Sequence, residues 1–317
     1  MNNDKMTSTQ SAPILLHKIE VNDYNITKSP HKNLLSGRTI DEFKIEEFIR
    51  ETSLTDIYHA VEQSTERPVI IKIIKAECSS KQRSINRFLN EVKVLNSLDH
   101  PLIPRIITSG QQGSLYYSVL EPSNGQLLED SMAQQPHYQE NECLRYMVSI
   151  AEALKYAWNE HQIIHCNIKP RSVLLDKQQA TLVNWSLSLQ TSEQLNNKGF
   201  NGTPAYMSPE QTSGKPLDFR SDMFSLGMLC FELISGQQAF SGNNPKMLFL
   251  AINKKYLSYK PLKEQKVSDA TCRLIQRMTA KKPDHRFSSW EQFIAEAGAC
   301  LNPKKQLRSA LLYNDHL

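Results

Sequence analysis

The chain has 317 residues, of which 39% are hydrophobic and 22% charged, as in an ordinary globular protein with one large domain or two lobes. Its net charge of +4 is too mild to predict nucleic-acid binding, and the nearest basic run, Lys304 to Arg308, is interpreted as a solvated tail. Six scattered cysteines without a C-x-x-C pair predict reduced thiols. No signal peptide or membrane-spanning run is recognised, so a cytoplasmic protein without a membrane span is expected.

Residues 1–39 are polar and weakly periodic and predict a flexible leader. Four β-branched or aromatic runs then predict strands of an antiparallel sheet: FKIEEFI from Phe43, DIYHAVE from Asp56, PVIIKII from Pro68 and LYYSVLE from Leu115. Before the fourth run, apolar residues at helical spacing predict one amphipathic helix, with Ile85, Phe88, Leu89, Val92, Leu95 and Leu98 on its apolar face. These elements predict a small strand-rich lobe over about residues 40–121.

Helical spacing dominates beyond Gly125. Four runs predict helices: NECLRYMVSIAEALKYAWNEH from Asn141, SDMFSLGMLCFELISG from Ser221, TCRLIQRMTA from Thr271 and SWEQFIAEAGACL from Ser289. Gly236 is the expected C-cap of the second. A larger helical lobe over about residues 126–303 and a tail over 304–317 follow, so the predicted class is α+β with two lobes.

Several short motifs occur in one order along the chain. They are VIIK ending at Lys72, Glu91 on the following helix, HCNIKPRSVLLD from His165, LVNWSLSL from Leu182, GTPAYMSPE from Gly202, SDMFSLG from Ser221 and PDHRF from Pro283. In this order and spacing they resemble the protein kinase family over about residues 40–300. The pair Lys169-Pro170 resembles the motif of the Ser/Thr branch of this family, and the segment GTPAYMSPEQ resembles that of its bacterial members. The resemblance implies the two-lobed kinase fold.

The resemblance also implies roles for retained residues in nucleotide binding. Lys72 and Glu91 match the ion pair that directs the lysine at the nucleotide phosphates in active kinases. The other positions that match the nucleotide site are Ile57, Ile70, Glu121 and Leu174.

Residues of the larger lobe match catalytic and structural positions of the family. Lys169 matches the lysine of the catalytic loop. Glu210 and Arg286 match a buried ion pair that anchors the activation segment, and Asp222 matches the carboxylate that holds the catalytic loop through backbone amides. Trp185, in place of the usual Phe, is expected to pack in the core.

The acidic groups that the resemblance leads one to expect are absent. Asn167 occupies the position of the catalytic aspartate, and an amide oxygen is not a base at neutral pH. Asn184 and Ser172 occupy the positions of the two metal ligands of active kinases, an aspartate and an asparagine, and Mg²⁺ favours charged carboxylate oxygens over two neutral ligands. We therefore expect general-base assistance to be lost and metal binding to be poor.

The glycine-rich phosphate loop of the family maps onto residues 50–57, where all three glycines are replaced, by Arg50, Thr52 and Thr55. A backbone without glycine cannot approach phosphates as closely. Ile70 replaces the small residue above the adenine and is expected to crowd the base. Cys166 replaces the arginine that pairs with a phosphorylated activation loop and is expected to be a buried inert thiol.

These losses predict a pseudokinase that acts as a regulatory or scaffolding module for a protein partner whose identity the sequence does not reveal. A weakly active Ser/Thr kinase is the first alternative, because Lys72, Glu91 and Lys169 are retained. Nucleotide binding without transfer is the second. No cofactor is expected, with ATP and Mg²⁺ relevant only to residual activity or nucleotide binding.

Overall fold

A computed structural model of the chain describes residues 35–177, 179–191, 202–241 and 244–302. Most of the predicted leader and the whole predicted tail lie outside the described residues. The chain divides into two compact units, and each is described by itself. The first contains the described residues up to Ile85 together with Ile107–Leu120, and the second contains Asn86–Ile106 together with those from Glu121 onward.

A six-stranded sheet in the order β1-β2-β3-β4-β6-β5 forms most of the first unit. Its strands are β1 (Thr39–Ile40), β2 (Phe43–Glu51), β3 (Thr55–Glu62), β4 (Arg67–Ile74), β5 (Ile106–Gln112) and β6 (Leu115–Leu120). The four predicted strands correspond to β2, β3, β4 and β6. The sequence does not predict β1, which has two residues, or β5, whose second half is polar.

Alternation of side chains explains how the sheet buries one face. In β2, Phe43 and Ile45 are buried while Lys44 and Glu46 are exposed. Strands β2, β3 and β4 pair antiparallel, and Ile57 lies opposite Lys72 in the register of the last two. The apolar side chains of this face form one core cluster, which includes Phe43, Ile45, Tyr58, Ile71 and Val119.

Two helices follow β4: α1 (Ala76–Ser79) and α2 (Gln82–Ser97). Helix α2 corresponds to the predicted amphipathic helix, and Phe88, Val92 and Leu95 are buried on it. Leu89 was assigned to the same face but is 47% exposed. One residue beyond Phe88, its side chain is rotated by about 100° around the helix axis, away from the buried stripe.

The second unit is mainly helical. Beyond α2 its described helices are α3 (Leu128–Gln134), α4 (Glu140–His161), α5 (Pro209–Thr212), α6 (Phe219–Ser235), α7 (Pro245–Lys254), α8 (Lys260–Glu264), α9 (Asp269–Met278) and α10 (Trp290–Leu301). The four predicted helices correspond to α4, α6, α9 and α10. The predicted α+β class, with a strand-rich first lobe and a helical second lobe, is confirmed.

Helix α6 forms the centre of this unit, because almost all of its residues are buried and it packs against α4 and α9. Its N-cap Asp218 accepts a hydrogen bond from the backbone of Arg220. Gly236 ends the helix at a φ of 71°, as predicted for a C-cap, and a Cβ there would lie 2.4 Å from the ring of His137. Only glycine combines this backbone conformation with this close approach.

Short strands frame the loops of the second unit. The strands β7 (Gln126–Leu127), β9 (Val173–Asp176) and β10 (Gln179–Leu182) form one small sheet, and β8 (Ile163–Ile164) pairs with β11 (Leu189–Gln190) in another. None of the helices in the described ranges is long and apolar enough to cross a membrane. All six cysteines are free thiols.

Candidate functional site

The loop between β8 and β9 carries the predicted catalytic residues and one of the two predicted metal positions, and Asp222 holds its first residues. The carboxylate of Asp222, in the first turn of α6, accepts hydrogen bonds from the backbone N–H of His165 at 2.6 Å and of Cys166 at 2.8 Å. Burial raises the pKa of Asp222 to about 7, although the two amide hydrogen bonds favour the ionised form. Cys166 is buried, and burial raises the pKa of its thiol.

His165 is buried and takes part in the packing of this loop. Its Nε2 lies 3.1 Å from the carbonyl oxygen of Val183, and its Nδ1 accepts a hydrogen bond from the backbone of Asn167 at 3.2 Å. A neutral ring protonated on Nε2 satisfies both contacts. Burial lowers the pKa of His165 to about 4, so the ring is neutral at physiological pH. The ring contacts the buried Trp185 edge-on, with 4.7 Å between centroids.

Asn167 and Lys169 meet at the hydroxyl of Thr203. The ammonium of Lys169 donates to Thr203 Oγ1 at 2.6 Å, and that hydroxyl lies 3.5 Å from the amide oxygen of Asn167. Burial lowers the pKa of Lys169, and the positive charge of Arg171 adds to this effect. Asn167 contributes only a neutral hydrogen-bond acceptor here. The place of Thr203 in the segment GTPAYMSPE was the signal in the sequence that could have located it beside Asn167 and Lys169.

Ser172, at one predicted metal position, is fully engaged by its own loop. Its side chain is buried, with 0% of the residue exposed. The hydroxyl accepts a hydrogen bond from the backbone N–H of Lys169 at 2.9 Å and donates to the carbonyl of the same residue at 2.8 Å. Ser172 therefore closes the turn Pro170–Ser172 and presents no oxygen to solvent.

Asn184, at the other predicted metal position, is tied to the same loop. Its amide nitrogen donates to the carbonyl oxygen of Arg171 at 2.6 Å. The backbone of Asn184 is left-handed, with φ 65° and ψ 59°, a conformation that asparagine tolerates better than most residues. The guanidinium of Arg171 in turn donates to Glu129 at 2.5 Å.

These two positions do not fit a Mg²⁺ site. Mg²⁺ favours charged carboxylate oxygens in near-octahedral geometry, whereas Ser172 and Asn184 are both neutral. The hydroxyl of Ser172 and the amide nitrogen of Asn184 are bonded to the backbone of Lys169 and Arg171. The segments 165–172 and 184–186 contain no aspartate or glutamate. Within the part of the chain that the structure describes, no cluster of three His, Cys, Asp or Glu side chains could hold a metal ion.

The first unit contains the hairpin that corresponds to the phosphate loop. The hydroxyl of Thr52 accepts hydrogen bonds from the backbone N–H of Leu54 at 3.1 Å and of Thr55 at 2.9 Å, which closes the turn between β2 and β3. Glu51 forms an ion pair with Lys75. Burial raises the pKa of Asp56, and nearby acidic side chains add to this effect while Lys75 opposes it. The turn is thus a closed, acidic hairpin with no glycine.

Other predicted nucleotide positions are distributed between the two units. In the first unit, Ile57 and Lys72 are buried and face each other in neighbouring strands, and Ile70 pairs with Leu120 of β6. The remaining three belong to the second unit: Glu91 is buried on α2, Leu174 lies on β9, and the backbone of Glu121 donates to Arg105. The pairing of Lys72 with Glu91 stays a prediction.

Glu210 and Arg286 form a buried ion pair in the second unit. The two guanidinium nitrogens of Arg286 donate to the two carboxylate oxygens of Glu210 at 2.6 and 2.9 Å. Burial alone would raise the pKa of Glu210, but the hydrogen bonds and charge of Arg286 outweigh burial and hold the pKa below its usual value. Glu210 lies in α5, directly after the GTPAYMSP segment, so the pair fixes the end of that segment.

Comparisons with known proteins agree with the architecture. The sequence profile described as "Protein kinase domain" matches residues 43–297. Serine/threonine-protein kinase PrkC of Bacillus subtilis is 28% identical over 270 residues, which cover 83% of this chain and 41% of the relative. Serine/threonine-protein kinase pkn3 of Myxococcus xanthus is 26% identical over 303 residues, which cover 89% of this chain and 54% of the relative. The chain thus spans about half of these relatives' length.

Proposed function

The chain belongs to the protein kinase family, and we propose that its domain is a pseudokinase, a regulatory or scaffolding module that binds a protein partner and does not transfer phosphate. The observation that carries this proposal is the burial and the hydrogen bonding of the Ser172 hydroxyl. At a position where an active kinase needs a metal ligand, this hydroxyl is buried and both donates to and accepts from the backbone of Lys169.

The chemistry of phosphoryl transfer explains why this observation matters. Catalysis in kinases rests on positioning and on charge stabilisation by Mg²⁺ ions, which carboxylate and amide ligands hold. In this chain the catalytic aspartate and both metal positions are replaced by Asn167, Asn184 and Ser172. A bound metal would depend almost entirely on the phosphates of the nucleotide.

The hairpin of the first unit supports the same proposal. A phosphate loop acts through backbone N–H groups that glycine allows to approach the nucleotide closely. Here the turn is closed by the hydroxyl of Thr52, and Glu51 and Asp56 place carboxylates beside it. The carboxylate of Asp56 at this position repels phosphates, while that of Glu51 is already paired with Lys75.

A weakly active atypical Ser/Thr kinase is the competing function. It is favoured by the retention of Lys72 and Glu91, both buried, and of Lys169, whose ammonium contacts Thr203 beside Asn167. In that case lysines would neutralise charge on the transferred phosphoryl group with little metal assistance. ATP as a structural ligand is a further possibility that the same lysines permit and that the bulk of Ile70 opposes.

A phosphotransfer assay tests the proposal directly. The purified chain is incubated with labelled ATP and either Mg²⁺ or Mn²⁺, beside the Lys72→Met variant as a background control. We expect equal, background incorporation in both proteins. Robust autophosphorylation that disappears in Lys72→Met refutes the pseudokinase proposal.

A thermal shift measurement with ATP, with and without each metal, separates the alternatives. A ligand at 100 times its Kd stabilises the folded state by about 2.7 kcal/mol, which raises Tm by about 5–11 °C in a domain of this size. We expect no shift of this size. A metal-dependent shift supports the weak kinase, and a shift that needs no metal supports nucleotide as a structural ligand.

A further inference from the structure

The net positive charge of this chain comes from one segment of the second unit. Residues 244–268, from the N-cap of α7 to the N-cap of α9, contain six lysines, no arginine and one glutamate, a net charge of +5. The whole chain carries +4, so all other residues together carry −1. All six lysines are exposed: Lys246, Lys254, Lys255, Lys260, Lys263 and Lys266.

Exposed apolar side chains occur within the same segment. Met247 and Leu250, one helical turn apart on α7, are 53% and 49% exposed, and Tyr256, just beyond the helix, is 88% exposed. These are three of the five exposed large apolar residues among the described ranges. We call residues 244–268 the lysine-rich surface. Exposed apolar side chains among exposed lysines of the same segment are the combination found in a protein interface.

The lysine-rich surface is firmly attached to its own unit. Ala251 and Ile252 of α7 are buried, and Asn253 donates to Thr212 of α5 at 2.8 Å. Lys281 donates to the backbone carbonyl of Ile252 at 2.6 Å. Leu248 and Phe249 are half-buried, so Met247 and Leu250 are the apolar side chains of α7 that stay exposed for a ligand.

The attachment of α7 argues against a membrane as the ligand of the lysine-rich surface, and the composition of the segment argues against a nucleic acid. Both favour a protein ligand. A helix that binds a lipid surface buries its whole apolar face in the bilayer. In α7 the protein itself buries Ala251 and Ile252, so only part of the apolar residues is exposed. Nucleic-acid recognition relies strongly on the bidentate guanidinium of arginine, and the segment contains none. Among the lysines, Lys260 lies 3.9 Å from Glu264, the single acidic residue of the segment.

We propose that the lysine-rich surface docks an acidic segment of a protein partner, whose carboxylates pair with the lysines while its apolar side chains contact Met247, Leu250 and Tyr256. The proposal names the partner chemistry of the binding role proposed above and rests on that role. Its test measures binding alone, so the outcome of the phosphotransfer assay does not decide it.

The probe is a fluorescent peptide composed of glutamate and leucine, and its binding to the full chain is followed by anisotropy. Two matched peptides serve as controls, one with lysine in place of glutamate and one with serine in place of leucine. We expect the acidic apolar peptide to bind at least about tenfold more tightly than either control, and its affinity to fall as salt is added.

Variants of the protein locate the site. The double variant Lys254→Glu/Lys255→Glu should weaken binding by about tenfold or more, and Met247→Ser/Leu250→Ser by about fivefold or more. Lys44→Glu/Lys81→Glu changes the same charge at two exposed lysines of the first unit and should leave affinity within about twofold. All four of the substituted residues on the lysine-rich surface are exposed, so Tm should stay close to that of the unmodified chain.

Three outcomes overturn the proposal. One is that the acidic apolar peptide binds no better than its controls. Another is that Lys44→Glu/Lys81→Glu loses as much affinity as Lys254→Glu/Lys255→Glu. The third is that phosphatidylserine vesicles or a single-stranded oligonucleotide bind the surface more tightly than the peptide, and lose that binding in the Lys254→Glu/Lys255→Glu variant.

Discussion

Replacing Glu210 by glutamine removes the negative charge from a buried ion pair and keeps the shape of the side chain. The guanidinium of Arg286 is 0% exposed and its carboxylate partner 5% exposed. Two hydrogen bonds of 2.6 and 2.9 Å join them, and Ser221 donates to the same carboxylate at 2.7 Å. Glu210→Gln therefore leaves a buried cation without a compensating charge.

The magnitude follows from this environment. Removing one partner of a buried ion pair costs about 3–5 kcal/mol of unfolding free energy. Arg286 also donates to the backbone carbonyls of Arg220 at 2.7 Å and of Ala280 at 2.8 Å, and these bonds remain in the variant. We therefore expect the lower part of the range, about 3 kcal/mol, which lowers Tm by about 6–12 °C.

The effect should depend on pH in a defined direction. Because the pKa of Glu210 is held below its usual value of 4.5, its ionised form stabilises the fold fully above that pH. This stabilisation is lost as the pH falls through the pKa of the folded state. The difference between the unmodified chain and Glu210→Gln should thus be constant near neutral pH and shrink in acid.

Denaturant unfolding, followed by tryptophan fluorescence across pH, measures both effects. The matched control is Glu129→Gln, which breaks the ion pair of Glu129 with Arg171. Because these side chains are 42% and 60% exposed, the control should lose less than about 1 kcal/mol of unfolding free energy. A loss in Glu210→Gln no larger than in Glu129→Gln, or a difference that grows in acid, would refute the reasoning.

Two further substitutions test local packing and backbone conformation. Gly227→Ala in α6 would place its Cβ 2.8 Å from Met278 Cβ and 2.9 Å from Thr279 Cγ2. We therefore expect the free energy of unfolding, measured in denaturant, to fall by about 1–3 kcal/mol despite alanine's higher helix propensity. A stabilised variant would contradict this expectation. At Asn184, whose φ is 65°, the Asn184→Ala variant should be less stable than the Asn184→Gly variant by about 1 kcal/mol. Both variants lose the hydrogen bond to Arg171, but only alanine is strained in this backbone conformation. The reverse order of stability would contradict the left-handed conformation of Asn184.

Local patterns in the sequence were enough to predict the main elements. The apolar spacing of α4 and the alternation in β2 are repeated over many residues and report which side of each element is buried, while the nearly continuous apolar run of α6 reports a helix that is buried almost throughout. The same patterns failed for short or polar elements such as β5 and α8, because a few residues carry too little periodicity. The family resemblance was carried by motifs, and it located Asn167 and Asn184 as neutral replacements of aspartates and Ser172 as the replacement of an asparagine.

Only the tertiary structure decided what those neutral side chains do. Ser172 and Asn184 are bonded to backbone groups of Lys169 and Arg171, and hydrogen-bond partners inside a loop depend on backbone geometry that residue types do not specify. The turn-closing role of Thr52 is of the same kind.

The lysine-rich surface shows most clearly what the sequence alone does not specify. Its six lysines are spread between Lys246 and Lys266, and the denser run from Lys304 to Arg308, interpreted as a solvated tail, was the nearest basic run that the sequence itself indicated. Burial of Ala251 and Ile252 against the helical unit shows which face of α7 is occupied, and exposure of Met247 and Leu250 shows which is left. The sequence by itself determined the family and the missing charges. The packing of distant segments determined which side chains are engaged and which remain available to a partner.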